Sequence, residues 1–86
     1  MKIPALWRKI GNKSLQRTVR CKDFMSAVRL IGRIARLAER VGHHPDLHLT
    51  GYRRLRIALT THSAGKVTAK DLSMASKISK LIAILL

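Results

Sequence analysis

The chain has one cysteine, two prolines, three aromatic side chains and four acidic residues among 86. A lone Cys21 cannot form an internal disulfide, which excludes a disulfide-built scaffold and points to a reducing compartment. So few prolines, with an apolar share of 47%, exclude a proline-rich disordered chain and describe a globular one. Long apolar runs are missing too. The longest, "LIAILL" at residues 81–86, falls far short of the roughly 18 to 20 residues that cross a bilayer. A secretory leader is not expected either, because Trp7, Arg8 and Lys9 interrupt the N-terminal stretch before an apolar region develops. A cytoplasmic protein is the expectation. The absence of acids before Asp23 also suits an organelle transit segment, but the same residues read as a folded hairpin. With 86 residues, one domain spanning 1–86 is all the chain can build.

What the chain does have is positive charge: 18 Lys and Arg against four acids, a net +14. That excess predicts attraction to polyanions, weakened by salt. The scarcity of aromatic side chains leaves little to stack on bases, so nucleic-acid binding rests on charge alone.

Hydropathy patterning predicts the order β-β-α-β-β-α. Leu6–Ile10 and Ser14–Cys21, joined by "GNK", read as a β-hairpin with imperfect alternation in its second strand. Asp23 is a plausible N-cap for a helix whose apolar residues Phe24, Val28, Ile31, Ala35 and Ala38 recur in steps of four and three. Ala27, Ile34, Leu37 and Val41 widen that stripe, and Gly42 stops the helix. Arg29, Arg33, Arg36 and Arg40 form a cationic ridge beside it; a solvated face and a polyanion contact both fit. "DLHLT" and "RRLRIALTT" read as extended segments. Thr68 and Asp71 then form a capping-box-like start to a second helix with Leu72, Ala75, Ile78 and Leu81 or Ile82 on one stripe. The expected fold is α+β, a four-stranded antiparallel sheet carrying its helices on one face.

All four histidines lie between Gly42 and Asp71. Pro45 forces His44 into an extended conformation, so "HHP" is presented rigidly at a helix-to-strand junction. His62 closes the last strand, and pairing of that strand with the one after "HHP" would bring His43, His44 and His62 around one pocket. An imidazole cluster at neutral pH holds proton donors and acceptors together, the requirement for an elimination that needs no nucleophile. Three other readings stand beside this one. The histidines can be hydrogen-bonded boundary residues. His44 and His48 can be metal ligands, although the strand-like "DLHLT" does not suit their spacing and thiolate or acidic company is sparse. Asp71 can be a helix cap alone or a partner of His62. Triad, P-loop, dinucleotide and CxxC motifs are absent.

In combination, "KDF…AERVGHHPDLHLTGYRRLRIALTTHSAGKVTAKDLSMASKI" resembles the pterin-4a-carbinolamine dehydratases, over nearly the whole chain from Trp7 to about Ile78. The resemblance implies a lyase that removes water from 4a-hydroxytetrahydropterin to give quinonoid dihydropterin, in the recycling of tetrahydrobiopterin. It implies no metal and no organic cofactor, and assembly into homodimers or homotetramers. Carried over by motif, His43, His44 and His62 are the catalytic imidazoles. Glu39, Pro45, Thr60, Thr61 and Ser63 line the pterin pocket, and Asp71 supports His62. Relatives of this fold that act as a dimerisation cofactor for a transcription factor, or as an assembly factor, imply a non-catalytic binding role as the alternative. The chain departs from the family pattern in Val19 and Cys21, which replace larger aromatics, in Lys66, which replaces a glycine, in its largely missing N-terminal helix and in its basic character.

Overall fold

A computed structural model describes residues 2–86. Its elements are β1 (Arg8–Ile10), β2 (Ser14–Arg20), α1 (Phe24–Val41), β3 (Asp46–Thr50), β4 (Arg54–Leu59) and α2 (Ala69–Leu85). The four strands form one antiparallel sheet in the order β1-β2-β4-β3. The expected α+β architecture is therefore the observed one. β1 is shorter than its apolar pattern suggests, because Trp7 N–H donates to the Pro4 carbonyl in a turn and Leu6 holds φ 72°.

Alternation sets the faces of the sheet. Leu15 and Val19 on β2 and Leu55, Ile57 and Leu59 on β4 point inward and are buried. Leu47 and Leu49 on β3 pack against the same core. Arg17 breaks the β2 pattern from the inner face. Its guanidinium donates to Ser79 Oγ at 3.2 Å, an oxygen that also accepts from Trp7 Nε1 at 2.8 Å, and burial lowers its pKa. Val19 and Cys21 are both buried in this core, and burial pushes the Cys21 thiol up.

Both helices cover that inner face. α1 starts where the Asp23 carboxylate accepts from Ser26 N–H at 2.8 Å. Its buried residues are Ala27, Leu30, Ile34, Leu37 and Ala38. The apolar stripe read from the sequence was centred too far round the helix: Phe24, Val28 and Ala35 are exposed and Ile31 half-buried. Apolar residues cover more of α1 than one packing face, and periodicity alone does not say which part meets the sheet. Arg29, Arg33, Arg36 and Arg40 are all exposed, as a ridge should be. α2 buries Asp71, Met74, Ala75, Ile78 and Ile82. No helix among the described residues is long and apolar enough to cross a membrane.

Candidate functional site

Two chain reversals build the site. At the end of α1, Gly42 takes the left-handed conformation (φ 73°), and its N–H donates to the Ala38 carbonyl at 2.8 Å. A side chain there would be strained, so glycine ends the helix and turns His43 and His44 off its axis. At the end of β4, Thr61 N–H donates to the Lys66 carbonyl at 3.1 Å, closing a small loop through Gly65 (φ 67°). Gly65 supplies the left-handed residue, and Lys66 is not among the positive-φ positions. The backbone at Lys66 therefore does not require a glycine.

Antiparallel pairing of β3 with β4 places the start of one beside the end of the other, with Asp46 opposite Ala58. The reversals consequently face each other across a cleft of about 350 Å³. Its walls include His43, His44, Pro45, Thr60, Thr61, His62 and Ser63, all the pocket residues expected from the sequence except Glu39 and Asp71. Those two act from outside the lining. Glu39, exposed on the last turn of α1, accepts a hydrogen bond from His44 Nε2. Asp71 sits beneath the cleft.

Asp71 is fully buried, and both oxygens of its carboxylate are hydrogen-bonded. Oδ1 meets His43 Nε2 at 2.6 Å; Oδ2 accepts from Thr61 Oγ at 2.7 Å and Thr68 N–H at 2.9 Å. Thr61 Oγ lies 2.7 Å from Thr68 Oγ. With its one proton given to Asp71, Thr61 receives that bond from Thr68. Burial pushes the Asp71 carboxyl up, but the bonds from His43, Thr68 and Thr61 outweigh it and hold its pKa below the usual carboxylate range. The capping box foreseen at Thr68 and Asp71 is present. The partner foreseen for Asp71 is corrected: the carboxylate holds His43 from the other junction, and no bond joins it to His62 among the described residues. Capping requires the carboxylate at the first turn of α2, and that turn faces the end of α1 rather than the tip of the 61–66 loop.

The three imidazoles thus differ in freedom. An ionised Asp71 accepts from His43 Nε2, which fixes the proton on that nitrogen and the orientation of the ring. His44 is oriented by an exposed carboxylate. His62 is exposed and makes no side-chain bond among the described residues. His48 lies on the outer face of β3, in register with Arg56, so it does not converge with His44. Among the described residues no group of three or more histidines, cysteines and acids is placed to hold a metal. Lys70 and Asp46 also line the cleft. Sequence reasoning missed both; for Lys70 the available signal was its place beside Asp71 in the first turn of α2.

Comparison with known proteins gives a consistent result. The family model described as "Pterin 4 alpha carbinolamine dehydratase" matches residues 2–81. A Gloeobacter violaceus protein named "Putative pterin-4-alpha-carbinolamine dehydratase 2" is 44% identical over 68 residues, 79% of this chain and 73% of that protein. A similarly named Chloroflexus aggregans protein is 42% identical over 76 residues, covering 88% and 80%. Among solved structures, one titled a transcriptional coactivator/pterin dehydratase from Brucella melitensis superposes with a TM-score of 0.82 at 33% identity, covering 90% of this chain and 82% of that one. A pterin dehydratase-like protein identified as a RuBisCO assembly factor in the alpha-carboxysome shares the fold, with a TM-score of 0.73 at 19% identity and 87% of each chain covered. A matched family model over nearly the whole length, two relatives above 40% identity and a shared α+β fold lead to one conclusion: this chain belongs to the pterin-4a-carbinolamine dehydratase family.

Proposed function

We propose that the chain catalyses the dehydration of a 4a-hydroxytetrahydropterin to quinonoid dihydropterin, through its histidines and without a metal. The observation that carries this reading is the convergence of His43, His44 and His62 from two separate junctions onto one cleft of about 350 Å³, a volume in the range of small-molecule sites. In the reaction an imidazolium gives a proton to the 4a hydroxyl as the C4a–O bond breaks and water leaves. A neutral imidazole takes the proton from N5, and the electron pair released there forms the new C=N bond. His62, whose ring makes no hydrogen bond among the described residues, is suited to exchange protons with substrate. His43, pinned by Asp71, presents one defined nitrogen. Pro45, Thr60, Thr61 and Ser63 would frame the pterin, with Glu39 setting the ring of His44. Turnover of the carbinolamine by the purified protein should fall about 10²- to 10⁴-fold in both His44→Ala and His62→Ala; unchanged rates in both would remove the catalytic reading.

A second reading follows from the coactivator and assembly-factor titles of the structural neighbours and from an exposed apolar stripe on α1. Phe24, Met25 and Val28 are 52%, 61% and 43% exposed, a patch of the kind that marks protein contacts. A second copy of this chain is its simplest occupant, in keeping with the dimers or tetramers of the family. A non-catalytic binding protein would bind its partner normally after loss of all three histidines and never dehydrate pterin.

A further inference from the structure

We infer that the open face of the β-sheet is a binding surface for the phosphate backbone of nucleic acid. The helices occupy one side of the sheet; the other carries Arg8 on β1, Arg20 on β2, and Arg54 and Arg56 on β4, all exposed. Register places them tightly. Arg20 stands directly opposite Arg54, Arg56 lies between Thr18 and His48, and Arg8 faces Gln16. Neighbouring strands are about 4.8 Å apart and alternate residues along a strand about 6.7 Å, so strand register holds the stems of these arginines at a set spacing on one face.

Such an array is unfavourable in isolation. Like charges directly opposite on adjacent strands destabilise a sheet, and among the described residues no carboxylate forms a salt bridge with any of these arginines. The one acid on this face, Asp46, sits in the row opposite Ala58, two positions along β3 from His48. A polyanion laid across the sheet would relieve the repulsion. Arginine's planar fork matches phosphate oxygens, and Thr18 and Thr50, exposed in the same rows, offer further hydroxyl donors. Two features favour nucleic acid over a lipid surface. The exposed large apolar side chains bordering this face, Leu6 and Ile10, share a pocket with Arg8 at the β1 edge, and none of Arg20, Arg54 and Arg56 lines it, so no apolar wedge accompanies those three charges. Tyr52, exposed in the β3–β4 turn, stands at the Arg54 end, where an unpaired base can stack. The contacts are to backbone rather than base edges, so binding will be indifferent to sequence.

Binding of a short fluorescent single-stranded RNA, followed by anisotropy across a salt series, tests the assignment. Removing three phosphate contacts in Arg20→Gln/Arg54→Gln/Arg56→Gln should reduce the slope of log K against log salt by about 2 and weaken binding at least tenfold at low salt. The control variant Arg29→Gln/Arg33→Gln/Arg36→Gln removes the same charge from the helix ridge on the opposite side. It should bind within about threefold of the parent. Equal losses in the two variants would mean undirected attraction by net charge and would overturn the inference, as would tight binding to phosphatidylserine vesicles with none to RNA. Should the triple variant not fold, the single Arg54→Gln should still reduce the slope by about 0.7; an unchanged slope there would overturn it equally.

Discussion

Asp71 joins a helix start to side chains from two other segments of the chain. Its carboxylate closes the capping box of α2 and also holds His43 and Thr61. Replacing it by alanine leaves buried donors without an acceptor, so Asp71→Ala should cost about 3 kcal/mol of stability, measured by urea unfolding. A loss below about 1 kcal/mol would show that water replaces the carboxylate freely. The same group makes stability depend on pH with a defined sign. Its folded pKa lies below the ordinary carboxyl value, so its contribution is fully present above the unfolded pKa of about 4. It is lost as pH falls through the lower folded value. Asp71→Asn should therefore flatten the acid limb of stability against pH, and an unaltered limb would contradict the assignment.

At the scale of elements, both junctions that build the cleft depend on how helices begin and end. Gly42 stops α1 in the left-handed region, and an ideal Cβ added there meets nothing within 4 Å. The penalty for Gly42→Ala is thus conformational, about 1 to 2 kcal/mol, with Gly42→Asn milder because asparagine tolerates αL. Thermal unfolding of the two variants should show that ranking, and equal melting temperatures would argue against a strained cap. α1 also shows where periodicity misleads. Its second apolar stripe, through Phe24 and Val28, stays exposed. If a second copy covers it, Val28→Glu should shift the protein to a smaller assembly in light scattering at unchanged secondary structure.

Over the whole molecule, a net charge of +14 acts against compactness. Arg20 faces Arg54 across the sheet, and Arg29, Arg33, Arg36 and Arg40 follow one another along α1. Raising ionic strength from about 0.01 to about 0.15 M shortens the screening length from about 30 to about 8 Å, so the melting temperature should rise with added sodium chloride over that range. A flat or falling response would mean that the charges are already compensated. The core is less salt-sensitive, since Leu15, Leu30, Ile34, Leu55, Ile57 and Leu59 are wholly buried and held by apolar contact.

Local chemistry was readable along the chain because its causes lie within a few residues. Asp23 and Thr68 announce helix starts, Gly42 a helix end, Pro45 an extended entry into β3, and Leu55, Ile57 and Leu59 the inner face of β4. The ordered histidine motif identified the family from the sequence by resemblance. Which groups meet across the fold depended on geometry that no local pattern encodes. Asp71 pairs with His43, 28 positions away, because the first turn of α2 packs beside the end of α1. Of the apolar residues on α1, those that meet the sheet are set by the angle at which the helix lies. The arginines of β2 and β4 become one array only when strand register sets Arg20 against Arg54. Sequence determines where each element starts and stops through short-range sterics and hydrogen bonding; the face a helix buries and partners distant in the chain are chosen by the packing of all the elements at once.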